Sequence, residues 1–328
     1  MITDREAIVG QAVMTRATTL GLAVTLSHIE GLSAPRQEHL LELARVADTA
    51  GVDQIVLSEH VTLARVITGH PGARPGETST GSFFPSDEEY PDPFVALSAI
   101  AAVTRTARLS TNILIAPLRP AVLLAKMAAT LDVLSGGRLD LGVGAGWHRE
   151  EFAALGVPFR RLADRMDDTV LACQSLWRGG PSSFSSDTVS FTDMYCSPTP
   201  LQARIPVWFG GTATEAMARR VTGIGDGWSP IGNTPVADVA LGVALIREQC
   251  SRIGRDPDTI AVRCSLPLRV TAGGWGDIGR TVAAAADLAA AGATIVQLPP
   301  LKRFVDKLDD VGPLLAAARN SLPEHIRE

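Results

Sequence analysis

Four cysteines in 328 residues, with no Cys-x-x-Cys pair among Cys173, Cys196, Cys250 and Cys264, exclude a zinc framework and a disulfide scaffold. Free thiols fit a reducing compartment, so a cytoplasmic chain is expected. A basic surplus is missing too. Thirty Lys and Arg face thirty-five Asp and Glu, for a net charge of -5, which excludes non-specific binding to nucleic acid or to an anionic membrane surface. Long apolar runs are absent. The first, at 20–26, falls far short of the ~18 residues of a membrane helix and carries no signal-peptide cleavage pattern. What is present is ordinary for a packed globular protein: 46% hydrophobic, 20% charged, 30 Gly and 21 Pro, with a mean hydropathy of +0.16 that excludes general disorder.

Residues 1–17 carry Asp4, Arg5, Glu6 and Arg16 without apolar periodicity and read as an extension; 18–328 reads as one domain. Short β-branched runs at 21–26, 53–60, 109–116, 139–144, 206–210, 227–230, 261–270 and 293–298 alternate with helical periods. Asp92-Pro93 is a helix start, and a helix opening at Pro120 stops at Gly136-Gly137. Helical periods run from about 149 to 177, and Asp277 caps an alanine-rich helix that ends at Gly292. Eight strand–helix repeats with nearly continuous apolar strands predict an α/β fold, a (β/α)₈ barrel of the TIM type. An open doubly wound sheet is the competing architecture. Two segments exceed ordinary loop lengths of ~4–6 residues: 61–90 after strand 2, and 179–204 before strand 5, in which 182–191 resembles a small hairpin. Both are expected to shape specificity.

Such barrels carry their active sites at the C-terminal strand ends, and the polar residues gather there. Strand 2 ends in Ser58-Glu59-His60, strand 3 contains Thr111-Asn112, strand 4 runs into Gly144-Ala145-Gly146-Trp147-His148, and strand 5 into Gly210-Gly211-Thr212. Gly142-x-Gly144-x-Gly146 lacks the spacing of a dinucleotide fingerprint. Gly210-Gly211-Thr212 suits a backbone anion cradle, while Thr212-x-x-Glu215 also reads as a capping box. Arg219 and Arg220 either add charge there or belong to the surface. His60 is a proton carrier or a structural histidine. Trp147 is a wall for a heteroaromatic ring or core packing. His148 and Glu150 read as helix caps, and Phe83, Phe84 and Tyr90 as a substrate-pocket lining. No metal set is expected.

The run LDLGVGAGWHREEFAALG over 139–156, the preceding LSTNILIAP, the later IPVWFGGTATEAMARRVTGIGDGW over 205–228, strand 1 and Ser58-Glu59-His60 together resemble the luciferase-like monooxygenase superfamily, in its deazaflavin branch. The likeness covers about residues 20 to 300. It implies a barrel binding coenzyme F420, or alternatively FMN, at the C-terminal rim. By that resemblance His60 faces the reactive ring, with Glu59 standing where relatives carry aspartate. A non-proline cis peptide at Asn112–Ile113 backs the ring, Gly144, Gly146 and Trp147 flank it, and Gly210, Gly211 and Thr212 hold its phosphate. The implied activity is hydride transfer between the deazaflavin and a small organic substrate. The alternatives are a reduced-FMN monooxygenase using oxygen and a non-catalytic flavin-binding protein. A reductase supplying reduced coenzyme is the partner implied, and a homodimer is expected because dimers are the commonest homo-oligomer.

Overall fold

The computed structural model describes residues 20–27, 39–64 and 89–323. Phe83, Phe84, the 1–17 extension and most of the 61–90 segment lie outside the described residues. In chain order the elements are β1 (Gly21–Thr25), α1 (Leu40–Thr49), β2 (Gln54–Leu57), α2 (Pro93–Val103), β3 (Arg108–Thr111), β4 (Leu114–Ile115), α3 (Ala121–Leu134) and β5 (Leu139–Gly144). Then come α4 (Arg149–Ala154), α5 (Leu162–Trp177), β6 (Ser182–Ser185), β7 (Ser190–Met194), β8 (Val207–Gly210) and α6 (Glu215–Ile224). The chain finishes with β9 (Gly227–Ser229), α7 (Val236–Ile253), β10 (Ala261–Ser265), α8 (Ile278–Ala283), α9 (Ala285–Ala290), β11 (Ile295–Leu298) and α10 (Val311–Asn320).

The large sheet runs β3-β2-β1-β11-β10-β9-β8-β5-β4, all parallel, and β5 also pairs with β3. That last pairing closes the sheet. The fold is an eight-stranded parallel barrel, because β3 and β4 are two halves of one barrel strand. The open-sheet alternative fails on this closure. Helix starts follow the sequence signals. Asp92 accepts from the Phe94 and Val95 N–H groups with Pro93 in the first turn, and Asp277 accepts from the Arg280 N–H.

Three expectations about the elements are corrected. The third strand is interrupted at Asn112–Ile113. The seventh ends at Ser265, two residues before Pro267, which has no N–H for a ladder. The alanine-rich helix after Asp277 is two helices, α8 and α9. The 179–204 segment does form an antiparallel hairpin, β6 with β7, but its return to the barrel is anchored at the N-terminal face. Gln202 Nε2 donates to Asp132 (2.7 Å) and to the carbonyl of Leu139, the first residue of β5, while Arg108 at the start of β3 donates to Gln202. A loop that follows a barrel helix returns to the strand starts, while the hairpin tip packs along α5, where Asp187 pairs with Arg161 and the Thr188 hydroxyl donates to Asp168.

Candidate functional site

The parallel register puts the ends of β2, β4, β5 and β8 on one face. The floor of that mouth is built around Asn112–Ile113, whose peptide bond is cis. The Asn112 side chain spans the barrel: its Nδ2 donates to Gln297 Oε1 on β11 (3.2 Å), and its Oδ1 accepts from Ser229 Oγ on β9 (3.1 Å). The glycines around it have a packing role. A Cβ at Gly144 would stand 2.1 Å from Ile113 Cδ1, and one at Gly210 2.8 Å from Ile113 Cγ2. Gly146, at φ +80°, would meet Ile115 Cγ2 at 2.6 Å, and Gly142 the Thr111 carbonyl oxygen at 2.0 Å. The Gly-x-Gly-x-Gly run is thus the negative of Thr111, Ile113 and Ile115 on the neighbouring strand. Gly144, Gly146 and Gly210, expected to give their space to a cofactor, give it to these side chains.

Glu59 lies behind this floor. It is buried, its Oε2 accepts from the Ile115 N–H (2.7 Å), and its Oε1 pairs with Arg119 (2.6 Å). Arg119 in turn pairs with Asp92, the cap of α2. Burial pushes the Glu59 carboxyl above its usual range against the pull of Arg119. Glu59 thus ties the end of β2 to β4 and Arg119 behind the floor.

His60, one residue on, turns into the mouth. Its Nδ1 lies 3.1 Å from Glu151 Oε2, and the Glu151 side chain is fully buried. The other oxygen, Oε1, accepts from the Val61 N–H (2.6 Å) and the Thr62 N–H (3.4 Å). The His60 ring meets Tyr90 edge-on at 5.1 Å and Trp147 at 5.5 Å between centroids. His148 occupies the N-cap position of α4, but its side chain makes no cap bond and is completely buried. Its Nε2 accepts from the Ala64 N–H (3.3 Å), and burial holds its imidazole below the ordinary histidine range, outweighing the nearby Glu151. Glu150, by contrast, is exposed. Glu151 is the residue that sequence reasoning missed. The available signal was the i, i+3 spacing of His148 and Glu151, which puts both on one face of the first turn of α4.

Across the mouth, the turn after β8 is pinned at Gly211. Its N–H donates to the Ser229 carbonyl (3.2 Å), and its carbonyl accepts from Trp228 Nε1 (2.9 Å). The helix cap is Thr214, which accepts from the Met217 N–H, so the Thr212–Glu215 capping box does not form. Thr212 is exposed and, with Ala213, leads from the pinned glycine to the capped turn. Arg219 pairs with Glu215 and Arg220 with Asp167, so neither guanidinium serves the turn. Among the described residues no group of His, Cys, Asp and Glu is placed to hold a metal, and no helix is long and apolar enough to cross a membrane.

The family model described as luciferase-like monooxygenase matches residues 19–313. An uncharacterised protein of Mycobacterium tuberculosis is 30% identical over 244 residues, 73% of this chain and 83% of that one. The crystal structure of the monooxygenase RslO1 from Streptomyces bottropensis superposes with a TM-score of 0.71 at 20% identity, over 92% of this chain and 98% of that one. An F420-dependent secondary alcohol dehydrogenase, solved with an F420-acetone adduct, superposes with a TM-score of 0.68 at 15% identity, over 94% and 100%.

Proposed function

The chain belongs to the luciferase-like monooxygenase family, and from that premise we propose that it moves a hydride between coenzyme F420 and a small organic substrate, with His60 handling the accompanying proton. One observation carries the reading: the His60 imidazole stands at the mouth, its Nδ1 held by the buried Glu151 and its ring against Trp147 and Tyr90. The surroundings fit a flat heteroaromatic ring with an anionic tail. Ile113 offers an aliphatic floor and Trp147 an aromatic edge. Past Gly211, whose own N–H is held by Ser229, the turn through Thr212 leads to the start of α6, where an anion is favoured. The deazaflavin, when bound, supplies the redox chemistry. The chain's own residues orient the ring, and His60 exchanges a proton through Nε2 at a substrate oxygen or nitrogen. A homodimer and a separate reductase that supplies reduced coenzyme complete the proposal.

The test is a pair of titrations, with the deazaflavin and with FMN, followed by quenching of tryptophan fluorescence. A micromolar Kd for the deazaflavin, ~8 kcal/mol of binding, is expected. A preference for FMN together with oxygen consumption would replace the proposal with a reduced-flavin monooxygenase. Tight binding with no turnover over a broad substrate panel would leave a binding protein. His60→Ala should lower turnover ~10²–10⁴-fold while coenzyme affinity holds. Unchanged turnover would make His60 structural.

A further inference from the structure

Glu151 makes contacts that a merely space-filling carboxylate would not need. It is fully buried, and its two oxygens have different clients. Oε1 faces the Val61 and Thr62 N–H groups, which can only donate, so that oxygen must accept. Oε2 faces His60 Nδ1 at 3.1 Å. An ionised carboxylate only accepts, which places the proton of a neutral His60 on Nδ1 and leaves Nε2 as the basic nitrogen. The other titratable rings packed against this imidazole are His148 and Tyr90. The His148 imidazole accepts from Ala64 at Nε2, and the neighbouring Glu59 is directed to Arg119. Glu150 lies on the exposed side of His148. Glu151 is therefore a carboxylate positioned to choose the His60 tautomer.

We propose that Glu151 is a positioning residue: its carboxylate selects the Nδ1–H tautomer of His60 and, through its second oxygen, fixes the backbone that leaves the imidazole at Val61 and Thr62. The specificity for glutamate over glutamine follows from the donor count. In Glu151→Gln the single carbonyl oxygen is claimed by the two backbone N–H groups. The amide NH₂ then faces Nδ1, and the ring must reverse to the Nε2–H form. Such a reversal disables a base at Nε2 even where the geometry survives. The role rests on the reading of His60 as the proton carrier, but its test does not.

The full chain, ¹⁵N-labelled at histidine and free of coenzyme, is observed by NMR near neutral pH, with His60 assigned by the signal lost in His60→Asn. The wild type should show a protonated Nδ1 and an unprotonated Nε2 at His60, and Glu151→Gln should exchange the two while the His148 signals stay in place. Turnover of Glu151→Gln should fall ~10²–10⁴-fold in kcat, with KM changed less than about threefold. A wild-type His60 in the Nε2–H form, or an unchanged tautomer in Glu151→Gln, overturns the proposal. If that variant does not fold, the wild-type spectrum alone decides. Because the tautomer is read without coenzyme or substrate, its outcome is independent of whether the chain is a deazaflavin oxidoreductase.

Discussion

A glycine is needed at position 144 because an isoleucine stands opposite it. The missing Cβ leaves the slot that Ile113 Cδ1 occupies, and Gly210 does the same for Ile113 Cγ2. Gly144→Ala should therefore destabilise the fold by ~1–3 kcal/mol through overpacking, read as a lower urea midpoint. Adding Ile113→Val removes the clashing methyl and should recover most of that loss. The same alanine at Gly142 would press on the Thr111 carbonyl, for which no side-chain change makes room. These slots were invisible in the sequence, where the glycines read as space for a ligand. The carboxylates followed a similar pattern. Glu59 was expected beside His60 on the coenzyme side. In a strand, though, adjacent side chains point to opposite sides, and the imidazole's partner comes from Glu151, 91 positions away.

Among the elements, α1 is tied to the entry of β3 through Asp48. Its carboxylate accepts from the N–H groups of Arg105, Thr106 and Ala107 and from the Thr106 hydroxyl. Burial works against the charge, yet these bonds hold the Asp48 carboxyl below its usual range. A depressed acid stabilises the fold above its unfolded value, about 4, and that contribution is lost as the pH falls through the folded value. Asp48→Asn should thus lower Tm at neutral pH, with the gap to the wild type closing between about pH 5 and pH 3; calorimetry across that range checks it. Element order and type were legible from periodicity and caps, as Asp92-Pro93 and Asp277 illustrate. The break between β3 and β4 was not legible from β-propensity, because nothing in Thr111-Asn112-Ile113 departs from a strand pattern.

At the scale of the molecule, closure depends on the β3–β5 seam. Arg108 on β3 makes a bidentate pair with Asp140 on β5 (2.9 and 2.6 Å), and Gln54 on β2 donates to the same carboxylate (2.7 Å). Arg263 on β10 crosses the interior to Gln54 Oε1 and Ser110 Oγ, and burial pushes its guanidinium down to about 10. Arg108→Ala leaves the buried Asp140 without its bidentate partner and should destabilise the barrel by ~3 kcal/mol, read by urea unfolding. Coenzyme titration of the folded variant should match the wild type, because this polar layer lies toward the strand starts and the mouth lies at the strand ends.

Eight alternating apolar strands and helices were enough to determine a parallel α/β sheet, because burial on both faces demands that pattern, and the β3–β5 pairing decided that the sheet closes into a barrel. They also determined that His60, Asn112, Trp147 and Gly211 share one rim, since the C-terminal ends of parallel strands lie on one side. Only the tertiary structure decided which side chains meet there. The glycines yield to Ile113 and Ile115, Glu59 turns away to Arg119, and Glu151 reaches His60. Those contacts join residues on different elements, so their choice depends on packing across the barrel and not on local spacing.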